Sequence, residues 1–220
     1  MTAPRGSARD HGRSAPRLYL VSPPTDAPVL AANLAAALDA ADVAAVLGRT
    51  PGAGATALVD CVRAIAPVVQ DRGVALLIDG HPQSVAPAGA DGAHVAGIAA
   101  LDAALPILKP GHIAGCGGLA TRHDAMTAGE RGVDYVMFGE PDADGRRPRF
   151  GAVLDRVSWW AEVFEVPCVG WAASFDEAAA LAAAGADFVA IGDAVWTHAG
   201  GAGRGTAAAA ARLKLPEPVA

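Results

Sequence analysis

Glu140, in the run DYVMFGE, stands where an apolar, strand-like segment ends. A carboxylate at the bottom of an apolar pocket holds its proton to higher pH than usual and can exchange it near neutrality. The competing assignment is a loop acid paired with Arg146 or Arg147. Asp79 and His81 in LLIDGH, together with His94 in DGAH, have the donor types of a metal site, with Asp79 the candidate metal ligand. Asp91 and His94 equally suit a turn cap and a structural hydrogen bond. The stretch GCGG (115–118) is glycine-rich, so Gly117 and Gly118 could turn backbone N–H groups toward an anion. Cys116 within it is either a nucleophile or a buried, inert thiol. Arg146, Arg147 and Arg149 form the basic loop GRRPR, suited to phosphate or carboxylate, or else a solvated charge run. Trp171 and Trp196 could wall a pocket for a flat ring, whereas Trp159 and Trp160 suit packing or a subunit contact in a homodimer.

These residues need a frame, and the frame is periodic. Short apolar runs at 18–21, 43–47, 74–79, 92–95, 112–116, 134–139, 167–171 and 187–192 read as strands buried on both faces. Ala-rich helical stretches lie at 28–40, 54–72, 98–108, 121–131, 150–164, 174–185 and 206–213, as parallel strands require. Gly132 and Gly185 each close a helix and are followed by Asp and an aromatic strand start (GVDYV, GADFV). Ser174 with Glu177 reads as a capping box. Repeated βα units over about 200 residues predict a compact (β/α)₈ TIM barrel, an α/β fold. The runner-up is a doubly wound sheet, but no Gly-x-Gly-x-x-Gly follows the first strand. The expected domain division is a disordered arm at 1–16 and a barrel at 17–215.

Composition narrows the function classes. The formal charge is −6, and 15 of the 17 cations are Arg. Four of these (Arg5, Arg9, Arg13, Arg17) lie at the N-terminus beside a single acid, Asp10, so the rest of the chain is more acidic still. That argues against a nucleic-acid surface. No apolar run approaches the length of a membrane span, and no apolar stretch follows the N-terminal arginines as a secretory signal would need. The cysteines 61, 116 and 168 are too scattered for a disulfide framework or a zinc knuckle. The expectation is a cytoplasmic protein that handles a small molecule, not nucleic acid or membrane.

The segments LYLVSPP (18–24), LLIDGHPQSVAPAGADGAHVAG (76–97), GVDYVMFGEPD (132–142), VPCVGW (166–171) and GADFVAIGDAV (185–195) resemble, in order and interval, the thiamine phosphate synthase/TenI superfamily. The resemblance implies a TIM barrel of thiamine biosynthesis with thiazole- or pyrimidine-related ligands. The family's synthases join hydroxymethylpyrimidine diphosphate to thiazole phosphate, releasing pyrophosphate with the help of Mg2+; its tautomerase branch aromatises thiazole phosphate by acid–base chemistry. Carried over residue by residue, the family's Gln-x-Arg-x-Lys falls on Val46, Gly48 and Thr50. Arg49 is one place away, and it would face the site only if the strand end bulges. The family's Asn-Asp pair, whose Asp binds magnesium, falls on Asp79-Gly80, which leaves Asp79 to reach a cation, and its second magnesium carboxylate falls on Ala99. The phosphate-binding positions become Gly118 after the fifth strand, Asp144, Arg146 and Arg147 after the sixth, Ala172-Ala173 after the seventh, and Gly192-Asp193 at the eighth. Glu140 stands where the tautomerase branch has histidine. So many changed polar positions imply slow thiamine phosphate synthesis, with two alternatives: a tautomerase-like enzyme using Glu140, or a non-catalytic metabolite-binding barrel.

Asp193 yields a test from sequence alone. An ionised carboxylate about 4 Å from a phosphate oxygen repels it by about 4 kcal/mol at an effective dielectric near 20. Millimolar binding is itself worth only about 4 kcal/mol. Wild type is therefore expected to bind thiazole phosphate and inorganic phosphate weakly at neutral pH, and Asp193→Ser to bind them more tightly. Titration calorimetry on the two proteins checks this; micromolar affinity of wild type, or no gain in the variant, refutes it.

Overall fold

The structure, a computed structural model, describes residues 15–49 and 54–214. The arm expected at 1–16 lies outside these apart from Ala15 and Pro16, and Thr50 lies outside them too. Strand β1 (Arg17–Val21) is followed by helix α1 (Ala27–Leu38), β2 (Val43–Gly48), α2 (Ala55–Gln70), β3 (Ala75–Asp79) and the one-turn α3 (Val85–Ala88). Then come β4 (Gly92–Ala96), α4 (Ile98–Leu108), β5 (Ile113–Gly117), α5 (Arg122–Glu130), β6 (Tyr135–Phe138) and α6 (Phe150–Val163). The described residues end with β7 (Cys168–Ala172), α7 (Phe175–Ala184), β8 (Phe188–Ile191), the one-turn α8 (Asp193–Trp196) and α9 (Gly201–Arg212). The strands run parallel and close in sequence order, β8 pairing with β1. This is the (β/α)₈ barrel the periodicity predicts.

Strand alternation divides the core in two. Leu18, Leu20, Val46, Leu76 and Ile78 pack outward under the helices. Tyr19, Val21, Ala45, Leu47, Leu77, Tyr135, Met137, Val169, Trp171 and Ala190 fill the barrel interior. Both faces are buried, which is why the strands read as unbroken apolar runs. Among the described residues no helix is long and apolar enough to cross a membrane.

The acids before the even strands have a common task. Asp91, Asp134 and Asp187 each precede an even strand, and each accepts the backbone N–H near the start of the odd strand beside it. The bonds are Asp91 to Leu76 N–H (2.7 Å), Asp134 to Ala114 N–H (2.7 Å) and Asp187 to Cys168 N–H (2.8 Å). Each Asp also donates its own N–H to a carbonyl of the same neighbour. Asp42, before β2, instead takes the Arg17 side chain at the start of β1. The Asp of GVDYV and GADFV thus ties strand pairs together at the N-terminal end of the barrel.

Local differences from the sequence reading have physical causes. The β3–β4 connection, for which the sequence shows no long helical stretch, holds a 3₁₀ turn (Pro82–Ser84) and the one-turn α3. The last helix begins at Gly201, not 206, despite its glycines. A Cβ at Gly203 would come 2.9 Å from the Ala36 carbonyl oxygen, and one at Gly205 would come 3.0 Å from Val195 Cα. Those glycines allow close helix packing, which outweighs their low helix propensity. Ser174 accepts the Glu177 N–H (3.1 Å), but the Glu177 carboxylate turns elsewhere; the complete capping box joins Thr121 and Asp124. Trp160 is fully buried, stacks on Phe164 with ring centroids 4.0 Å apart and donates Nε1–H to the Val166 carbonyl, so it is a packing residue. Trp159 is half-buried under the Arg122 guanidinium.

Removing one strand tie leaves a strand-end N–H without its acceptor, at a cost of about 1–3 kcal/mol. Asp187→Ala is expected to lower the denaturant midpoint accordingly with an unchanged m value, read by urea unfolding.

Candidate functional site

The site begins with two glycines. Gly115 and Gly117 alternate on the inward face of β5, and each leaves room for a large neighbour. A Cβ at Gly115 would overlap the Tyr135 ring. One at Gly117 would overlap Glu140 Oε1 and come 2.8 Å from His94 Nε2. Tyr135 therefore crosses β5 to reach β4, where its hydroxyl meets His94 Nδ1 at 3.0 Å. Tyr19 on β1 meets the same hydroxyl at 2.9 Å. All three side chains are buried. The stretch expected to cradle an anion through Gly117 and Gly118 works differently: Gly118, at φ +62°, gives its N–H to Glu140 Oε1. Cys116 points outward and is fully buried, and burial, helped by the nearby Glu140, pushes its thiol up to about 12. It is an inert packing residue at neutral pH.

Glu140 as a residue is half-buried, with its carboxyl turned in over Gly117. Desolvation raises its pKa to about 7; backbone N–H bonds from Gly118 and its own amide oppose the rise, Asp79 adds to it, and Arg156 opposes it. Neither Arg146 nor Arg147 pairs with it. Arg146 pairs with Asp142 and Asp144, and Arg147 with Glu177. Burial likewise holds His94 down to about 4, so its imidazole is neutral in the working range.

Arg49 follows β2 directly and Asp79 ends β3. The inward residues of β2 are Ala45 and Leu47, so Arg49 continues the same face with no bulge at the strand end, contrary to the expectation from sequence. The register shift in this region lies at Leu18/Tyr19 instead. Arg49 Nε bonds Asp79 Oδ2 at 3.0 Å, and its N–H bonds the buried Ser22 hydroxyl at 2.9 Å. These residues do not fit the family's Mg2+. Asp79 is engaged by a guanidinium, and Ala99 offers no second carboxylate. Among the described residues no group of three or more His, Cys, Asp or Glu side chains could hold a metal, so Asp79, His81 and His94 do not assemble into one. His94 is turned to Tyr135.

The loops expected to hold phosphate are largely engaged within the protein. The Ala173 N–H goes to Glu177 Oε2 at 2.7 Å, and the same oxygen meets Arg147 at 2.9 Å. Arg147 also donates to the carbonyls of Gly139 (3.3 Å) and Trp171 (3.2 Å). Gly192 is buried at the end of β8, and Asp193 opens the one-turn α8, exposed. Arg204 packs its stem against Gly200. Trp171 closes the barrel interior, and Trp196 donates Nε1–H to the Val21 carbonyl at 2.6 Å. A depression of about 300 Å³ lined by Gln70, Asp91 and Ile113 lies at the opposite end of the barrel; its Gln70 and Asp91 bond each other.

Sequence reasoning missed Tyr19, Tyr135 and Glu177. Tyr19 and Tyr135 lie in runs that read as plain core, and Glu177 read as a cap partner. The available signal was parity. Glycines at alternate positions of a buried strand mark space taken by neighbours.

The family model described as thiamine monophosphate synthase matches residues 18–195. A thiamine-phosphate synthase of Rhodospirillum centenum is 38% identical over 84% of this chain and 91% of its own length. One of Hyphomonas neptunium is 34% identical over 84% and 88%. Among solved structures, a thiamine phosphate pyrophosphorylase from Pyrococcus furiosus superposes with a TM-score of 0.72 at 17% identity, covering 90% of this chain and 95% of that one. The 3-hexulose-6-phosphate synthase of Salmonella typhimurium gives 0.70 at 17% identity, over 90% and 100%. At such identity these two show the fold alone, but the profile match and the close relatives show more: the chain belongs to the thiamine monophosphate synthase family.

Proposed function

We propose that this chain works in thiamine biosynthesis on the family's small heteroaromatic ligands, a thiazole phosphate or a pyrimidine diphosphate, with Glu140 as the group that takes and returns a proton. The observation that carries the reading is a desolvated carboxyl, fixed by the Gly118 N–H, whose pKa is about 7. A general acid–base group is most effective when its pKa lies near the working pH. Arg49, at the end of β2, supplies a cation for the ligand's anionic end, and Gly117, Gly118 and Gly192 border the space it would enter.

A second reading, the synthase reaction itself, is favoured by the relatives' name and by Arg49 continuing the inward face of β2. Against fast synthesis stand the engaged Arg147 and Ala173 N–H, the exposed Asp193 and the lone Asp79 carboxylate. Arg146 and Arg147 would bind a leaving diphosphate only after parting from their acids. Clamping such a leaving group contributes several kcal/mol to catalysis, and each 1.4 kcal/mol is tenfold in rate.

With both native substrates and magnesium, turnover is expected far below the ordinary range of about 1–10³ s⁻¹. Proton exchange or isomerisation of thiazole phosphate is expected to rise with pH as Glu140 ionises and to level off above about 7. Glu140→Gln should lower that rate by about 10²–10⁴-fold with little change in ligand affinity. Stability carries the opposite sign. A carboxyl raised from 4.5 to about 7 stabilises the fold fully below the lower value, and that contribution is lost as pH rises through the higher one. Urea melts of wild type should therefore weaken over this window relative to Glu140→Gln. A variant as active as wild type overturns the acid–base assignment, and ordinary synthase turnover overturns the expectation of slow synthesis.

A further inference from the structure

The interior of this barrel holds more polar chemistry than packing requires. Tyr19, Tyr135 and His94 come from β1, β6 and β4 and meet in a chain of 2.9 and 3.0 Å contacts, surrounded by Leu47, Leu77, Met137 and Val169. Two phenols and an imidazole in such a place carry a desolvation cost that apolar side chains would not. The chain has a direction. It begins at Tyr19, among apolar side chains, and ends at His94 Nε2, which shares the space over Gly117 with Glu140 Oε1.

Donor and acceptor counting orients it. Each tyrosine has one O–H, and the neutral imidazole has one N–H and one lone pair. If Tyr19 donates to Tyr135, the Tyr135 O–H is left for His94 Nδ1, which must accept. The imidazole proton then sits on Nε2, at the end facing Glu140. In the opposite polarity, Nδ1 would donate to Tyr135 and Tyr135 to Tyr19, leaving a bare lone pair facing a carboxylate. The first arrangement places a donor against an acceptor, and it is the one that the ionised form of Glu140 favours.

We infer that Tyr135, backed by Tyr19, is a positioning residue that fixes the tautomer of His94, so that its Nε2–H is presented to the Glu140 carboxylate. The inference rests on the assignment of Glu140 as the proton-transfer group, but its test needs no substrate. No hydrogen bond joins His94 to Glu140 in this structure; the Nε2–H dipole beside the carboxylate favours its ionised form, and the polarised hydroxyls behind it strengthen that dipole. The other groups acting on Glu140 are Asp79 at the end of β3 and Arg156 on α6, with the Gly118 N–H from the loop after β5. Cys116 on β5 and Arg49 after β2 complete the titratable neighbourhood. None of these bonds to the His94–Tyr135–Tyr19 chain.

Tyr135→Phe removes the hydroxyl and keeps the ring that fills the space over Gly115. In protein labelled with ¹⁵N at histidine, the imidazole shifts of His94 are expected to report the Nε2–H tautomer in wild type at neutral pH, and a mixture of tautomers in the variant. The carboxyl of Glu140, followed by ¹³C NMR, is expected to bind its proton about tenfold more tightly in Tyr135→Phe, because the carboxylate loses the fixed Nε2–H dipole beside it. Tyr19→Phe, the milder change, should give a smaller shift in the same direction, and it keeps the test available if Tyr135→Phe does not fold. An Nδ1–H tautomer in wild type overturns the inference, as does an unmoved Glu140 titration in folded variants. Either result leaves the activity loss of Glu140→Gln standing, whereas an active Glu140→Gln with the expected tautomer removes the acid–base reading and keeps the relay.

Discussion

Space on the inward face of one strand governs this site. An eight-stranded barrel interior is filled by about a dozen side chains in layers, and each strand contributes one or two of them. Here β5 contributes glycine at 115 and 117, and its neighbours take the room. The Tyr135 ring lies over the first, and Glu140 with His94 converges over the second. A methyl group at either place would meet a ring or a carboxyl, so the tyrosine–histidine contact and the buried acid share one cause. Cys116 between them faces the helices, which is why a sequence that looks like a reactive loop is an inert strand.

Carboxylates on backbone N–H groups recur at both ends of the barrel. At the N-terminal end Asp91, Asp134 and Asp187 tie even strands to odd ones. At the C-terminal end Glu140 takes the Gly118 N–H and Glu177 takes that of Ala173. The chemistry is the same and the setting differs. Asp134 and Asp187 are exposed and Asp91 is half-buried, whereas Glu140 reaches its N–H with its carboxyl desolvated. An ordinary structural contact there becomes a carboxyl that titrates near neutrality.

The fold was legible because its signals are local and repeated. Gly-x-Asp before a strand marks both the end of a helix and the tie to the next strand, and runs buried on both faces exclude a one-sided sheet. Glu140, Asp79 and Arg49 were legible for a related reason, since strand C-termini form the mouth of any such barrel. What was hidden depended on parity. Gapless matching put Arg49 on the wrong face, while the inward positions 45 and 47 lead straight to it. Tyr19 and Tyr135 are separated by most of the barrel in sequence, and only closure between β8 and β1 brings β1 within reach of β6 across the interior. Glu177 was read from its spacing to Ser174, but spacing could not show that Arg147 and the Ala173 N–H compete for its carboxylate.

Electrostatics then limits what the mouth can do. Asp79 and Glu140 repel each other across it, and Arg49, bound to Asp79, offsets part of that repulsion. The residues deeper in the barrel add no charge: both phenols are pushed far above neutrality and His94 well below it, each chiefly by burial. Glu140 thus lies between the mouth and the Tyr19–Tyr135–His94 chain as a group whose charge changes near neutral pH. An anionic ligand would raise its proton affinity further, and a cationic intermediate would lower it, because a desolvated carboxyl is weakly screened. On the proposed reading, the charge of what enters the mouth sets whether Glu140 holds or gives up its proton, and Arg49, paired with Asp79, is a cation available at that mouth.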